Sequence, residues 1–111
     1  MPVYTRDVPQ DQYYVGAVDA AGALTLTITP GFKPWLVQQV SIEMLTAPAG
    51  AVCFLRKRGL LITPMIPAAD VAAGDPPITL YQGEPLTVEW TGCTPGDQGT
   101  ATVIYQLVEY G

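Results

Sequence analysis

An all-β fold, specifically a jelly-roll-like antiparallel β-sandwich of about eight strands, is predicted by three features of the sequence. Eleven prolines and eleven glycines are spread so evenly through the 111 residues that no window long enough for a substantial helix escapes interruption. Between these breakers lie short runs rich in Val, Ile, Thr and Tyr, several of them alternating apolar and polar with a period of two, as half-buried strands do. The runs recur at the spacing of sandwiches and barrels. A chain of this length closes one hydrophobic core, so a single domain is expected over residues 13–111.

The first dozen residues, with Pro2, Pro9 and the polar Gln10-Asp11-Gln12, have no core-facing period. They read as an extended arm, residues 1–12, that docks on another subunit or frays. A weaker strand follows at Tyr13 to Val18. Leu24-Thr25-Leu26-Thr27-Ile28-Thr29 is the clearest strand, with every aliphatic on one face and every threonine on the other, and Pro30-Gly31 ends it. From Trp35 to Leu45 the alternation changes phase around Gln38-Gln39, so a β-bulge is expected there to restore the facing. Ala51 to Leu55 and Leu60 to Thr63 flank Arg56-Lys57-Arg58-Gly59 and read as a hairpin. Its glycine supplies a positive φ, which places the basic triplet at an exposed turn.

Pro64 to Asp75 reads as a long connection between sheets, with one helical turn over Ala68 to Ala73. Three further strands are expected at Ile78 to Tyr81, Leu86 to Thr91 and Thr100 to Tyr110, the last two joined through the turn sequence Pro95-Gly96-Asp97. The final strand is apolar on both faces, with Val103, Tyr105 and Leu107 on one and Ile104 and Val108 on the other.

Apolar residues make up 49% of the chain, but charged ones only 14%, against roughly 25% in typical domains. Such a neutral exterior suits protein contact, because interface cores are poor in charge; a surface that is merely quiet is the other reading. The net charge of −5, with five Lys and Arg in all, argues against nucleic acid and anionic membranes as partners. No apolar run is long enough to span a bilayer, and the start lacks the apolar stretch of a signal peptide, so the chain is expected to be made in the cytosol. There Cys53 and Cys93 are expected as free thiols, with a disulfide between them as the alternative.

Catalytic chemistry finds no foothold in this composition. There is no histidine for a Ser-His or Cys-His pair or for common zinc and copper sites, and there is no Gly-rich phosphate loop. The acids are scattered; Glu43 and Glu89 lie on the polar sides of strands as solvated carboxylates, and Asp70 and Asp75 suit turns. No enzymatic activity, cofactor or metal is expected. Trp90 alternates with Leu86 and Val88 and belongs to the core. Trp35, at a strand entrance after Pro34, is either a core residue or an exposed aromatic that, with surface tyrosines, forms a sugar-stacking platform.

Trp35-Leu36-Val37-Gln38-Gln39-Val40-Ser41, Pro77-Ile78-Thr79-Leu80-Tyr81-Gln82-Gly83-Glu84 and Leu86-Thr87-Val88-Glu89-Trp90-Thr91-Gly92, followed by Pro95-Gly96 and Thr100-Ala101-Thr102-Val103, resemble small β-sandwich proteins encoded among the structural genes of tailed bacteriophages. These stretches cover under half the chain and are strand-and-turn patterns. The resemblance implies a virion structural protein of the capsid-decoration or head-fibre type, often a homotrimer, bound to the major capsid protein or another virion protein and cementing the shell through several simultaneous contacts. The contact residues expected on this reading are Val3, Tyr4 and Arg6 in the arm, Trp35, the triplet Arg56, Lys57 and Arg58, and Ile104 and Val108 on the last strand. The competing expectation is a carbohydrate- or receptor-binding module of a tail or fibre.

Overall fold

The computed structural model describes residues 3–5, 10–31 and 33–110, with the side chains of 3–5, 74–77 and 109–110 left aside. Its elements are β1 (Val3–Thr5), β2 (Gln10–Ala17), β3 (Leu24–Ile28), β4 (Trp35–Met44), β5 (Val52–Lys57), β6 (Leu60–Met65), β7 (Ala69–Leu80), β8 (Leu86–Thr91) and β9 (Gln98–Tyr110), with no helix among the described residues. β1 and β2 both lie along the same antiparallel neighbour, Val3 to Thr5 opposite Tyr110 to Val108 and Gln10 to Ala17 opposite Tyr105 to Gln98. They act as one interrupted edge strand, which leaves eight strand positions.

One sheet runs β1/β2-β9-β4-β7 and the other β3-β8-β5-β6, all pairs antiparallel. Apart from β1 to β2 and the β5–β6 hairpin, every connection crosses between the sheets. This is the winding of a jelly roll, two Greek keys folded face to face.

Period-two patterning does most of this work. β3 buries Leu24, Leu26 and Ile28 and exposes Thr25 and Thr27, and Leu86, Val88 and Trp90 of β8 stand beside them. Opposite, β4 contributes Trp35 and Val37, then Val40, Ile42 and Met44; the register slips between Val37 and Gln39 against both neighbours, which is the expected bulge. Ala101, Val103 and Tyr105 of β9 complete the inner face. Trp90 is fully buried and its indole N–H donates to the carbonyl of Pro67 at 3.2 Å, so its polar atom is satisfied within the core.

Side chains of both sheets crowd the position of Gly99 in β9. A β-carbon there would lie 2.6 Å from Leu24 Cδ2 and 2.9 Å from Met44 Cε, so only the missing side chain lets both pack down beside Trp90.

Several expectations are corrected. The connection from Pro64 to Asp75 is mostly strand: β6 continues to Met65, and β7 begins at Ala69 and absorbs the strand expected at Ile78 to Tyr81. Alanines that favour a helical turn locally are held extended by pairing with Gln39 to Glu43 of β4. The crossing between sheets survives, compressed into Ile66-Pro67-Ala68. Arg56 and Lys57 are not turn residues but the last two residues of β5, because the turn is the two-residue Arg58-Gly59, with φ of 53° and 80°. Of the expected arm, residues 3–5 and 10–12 run along β9 of the same chain, since β9 is long enough to pair with both. Both cysteines are buried free thiols, as the sequence led us to expect.

Candidate docking surface

The sandwich is closed unequally at its two seams. On one side β2 and β3 join the sheets; on the other β6 and β7 do, and between those strands lies a cleft of about 290 Å³ lined by Leu55, Ile62, Met65, Asp70, Val71 and Ile78. β6 is the last strand of its sheet, paired only with β5. Its side chains are unusually apolar for an open edge: Leu60 is 75% exposed, Leu61 52% and Ile62 39%, with Ile66 and Val71 exposed at the far end.

An apolar edge strand invites pairing with any free strand, yet this one resists it. Leu55 faces Thr63 and Arg56 faces Leu61, so Ile62 is the extra residue of a bulge, and two positions on Pro64 has no N–H to donate. The strip is thus built to be covered by side chains and to refuse an added strand.

The basic residues gather at its head. Arg56 Nε meets Glu89 Oε2 at 2.6 Å and its guanidinium lies 5.3 Å from the Phe54 ring centre. Lys57 Nζ reaches across the seam and donates to the Thr79 carbonyl at 2.8 Å, tying the hairpin to β7. Arg58 projects furthest, 69% exposed, with a long 3.4 Å contact to Glu84. Past these residues an open groove of about 660 Å³ runs along Leu60, Leu61 and Ile62. At the foot of the strip Asp70 accepts the backbone N–H groups of Ile66 and Val71 at 2.8 and 2.7 Å.

The other contact residues expected from sequence do not join this surface. Trp35 is buried, only 6% exposed, and stacks on Tyr105, so it is not a surface aromatic. Val108 is buried as well, its N–H donating to the Pro34 carbonyl, and the expectation of an exposed contact there is withdrawn. Ile104 is half-buried between Asp11 and Gln39. Val3 and Tyr4 belong to β1, and Arg6 lies outside the described residues. Sequence reasoning placed Leu60 to Thr63 on a strand but missed their exposure. The available signal was three consecutive large aliphatics straight after a turn, a pattern that a strand cannot bury on a single face.

No protein-family model and no curated protein matches the sequence. Among solved structures, the chain is similar to the crystal structure of FLHE, with a TM-score of 0.56 and 13% identity over 87% of this chain and 96% of that one. At that identity the likeness extends to the fold and no further.

Among the described residues no three His, Cys, Asp or Glu side chains converge as a metal site would require. Burial pushes the Cys53 thiol up to about 12, helped by the negative charges of Cys93, Asp70 and Glu89, and burial raises Cys93 too. Neither is a nucleophile at neutral pH. At the opposite end from the hairpin, Asp97 accepts from the hydroxyl and the backbone N–H of Thr46 at 2.5 and 2.7 Å. Those bonds, the hydroxyl's first, hold its carboxyl below the usual carboxylate range.

Proposed function

We propose that this protein is a non-enzymatic structural subunit of a bacteriophage particle, of the shell-decorating kind, that works by contact with other protein chains. The observation that carries this reading is the apolar strip of Leu60, Leu61 and Ile62 on an edge barred to strand addition. An apolar patch of a few hundred Å² is often the functional surface of the protein that carries it. The low charge of the sequence and its resemblance to phage structural β-sandwiches lend support, as does a sequence without histidine. Fold alone would not decide the matter, since jelly rolls serve capsids and lectins alike.

The test is to purify particles from the phage or prophage that encodes the chain and look for it by mass spectrometry and by immunogold labelling. A regular copy number per particle with label on the shell is expected. Recovery only in the particle-free lysate would sink the reading.

A second reading, a glycan- or receptor-binding module, has one observation in its favour. Tyr13, 66% exposed, lines a shallow depression of about 170 Å³ with Glu43, Leu45, Gln98 and Thr100, which sets an aromatic face beside a carboxylate, an amide and a hydroxyl. A glycan array bound by the native chain and not by Tyr13→Ala would favour it; a blank array would remove it.

A further inference from the structure

We infer that the occupant of the β6 strip is a second copy of this chain, docked antiparallel about a two-fold axis that passes close to Ile62. This deepens the reading of the protein as a contact-making subunit and rests on the strip being an assembly surface.

The order of chemistry along the strip supports the inference. Lys57 and Arg58 form a basic head, Leu60, Leu61 and Ile62 an apolar middle, and Asp70 an acidic foot, its carboxylate seated on the Ile66 N–H. Turned end for end about Ile62, a second strip brings its Ile66 opposite Arg58, and with it Asp70. Basic head then meets acidic foot at both ends while aliphatics meet aliphatics between them. The parallel alternative sets head against head and foot against foot, like charge on like.

The Asp70 carboxylate can accept about four hydrogen bonds, and its two backbone donors leave room for a guanidinium. Arg58 is available to supply one, since its contact to Glu84 is long and exposed.

Self-complementarity is the property of an isologous, two-fold contact. A three-fold ring of the kind implied by the phage resemblance needs two different patches on each subunit.

Size is consistent. The exposed aliphatics of the strip present on the order of 500 Å² of apolar surface, enough for the core of an interface covering about 800 Å² per partner once Arg58, Thr63, Pro64 and Asp70 form its rim.

The backbone of Arg58 adds an independent observation. Among the described residues it is the one non-glycine residue at positive φ, 53°, in a turn where asparagine would sit without strain. Arginine at this position gives up the small advantage asparagine would have in the turn, which is consistent with a use for its side chain.

The test uses the whole chain. Light scattering should give twice the 11.8 kDa chain mass at about 100 µM, and Leu61→Arg should return it to the single mass. Arg58→Asp and Asp70→Lys, checked for folding by circular dichroism, should each weaken the dimer at least tenfold by setting like charges together at both ends. An equimolar mixture of the two should restore it, because each chain of the mixed pair then finds an opposite charge at both ends. Ile62→Cys should cross-link to its own copy under mild oxidation, and Leu60→Cys should not, since only a residue near the axis meets itself; this arm stands if Asp70→Lys fails to fold.

A wild-type monomer at that concentration, a trimer, mixing without rescue between folded variants, or no Ile62→Cys cross-link would each overturn the inference. Particle labelling stays separate: a monomer found on particles defeats the dimer and spares the structural role, and a dimer absent from particles does the reverse.

Discussion

Trp35 and Tyr105 lie face to face on the neighbouring strands β4 and β9, ring centres 3.9 Å apart and planes 14° from parallel. Their strands pair with Trp35 opposite Leu107 and Val37 opposite Tyr105, so the two rings meet as diagonal neighbours. The pair covers the end of the core where β4 enters the sheet after Pro34. Trp35→Ala should therefore cost about 3–5 kcal/mol in urea denaturation. Tyr105→Phe keeps the stack and loses only a 3.3 Å bond from Gln12, so it should cost within about 1 kcal/mol. Equal losses from the two substitutions would refute a role for the stack.

Asp97 clasps Thr46 and so ties the β4–β5 loop to the start of β9. Its folded-state pKa is lowered, so the clasp contributes stability that is fully present above the ordinary aspartate value of 3.8 and is lost as pH falls through the lower, folded value. Wild type should melt above Asp97→Asn at pH 6, and the gap should close as the pH is taken below 3.8. A gap unchanged between pH 6 and pH 2 would show that the carboxylate charge is irrelevant.

Cys53 and Cys93 should not react with a disulfide reagent while the protein is folded. With the Cys53 thiol pushed up to about 12, roughly one such thiol in ten thousand is ionised at pH 8, and burial hides both sulfurs. Denaturant should release two reactive thiols per chain. Rapid titration of either thiol in native buffer contradicts this packing.

Arg58→Asn should stabilise the isolated chain by about 0.5–1 kcal/mol, because asparagine takes the left-handed conformation that the Arg58-Gly59 turn demands. The exposed contact to Glu84 that it gives up is worth little. The same substitution should weaken self-association. A denaturation midpoint that falls would show that Arg58 holds the turn for reasons of its own.

The sequence by itself determined which residues pair apolar with polar. Leu24 to Thr29 reads as a one-sided strand because each leucine or isoleucine is separated from the next by a threonine, and the structure buries that face alone. The phase change at Gln38-Gln39 announced the bulge, and Trp90 was legible as core from Leu86 and Val88. Even spacing and a lack of uninterrupted helix pointed to an all-β sandwich of about eight strands.

Tertiary structure decided what period cannot express. β7 carries small residues and helix-favouring alanines, and it is a strand because β4 offers it a ladder. Trp35 is inside because Tyr105 waits on the adjacent strand. Leu60, Leu61 and Ile62 are outside because sheet order leaves β6 last. Periodicity records how a residue faces its own neighbours in the chain. Whether another strand covers that face depends on pairings between residues far apart in sequence, and local pattern holds no information about those.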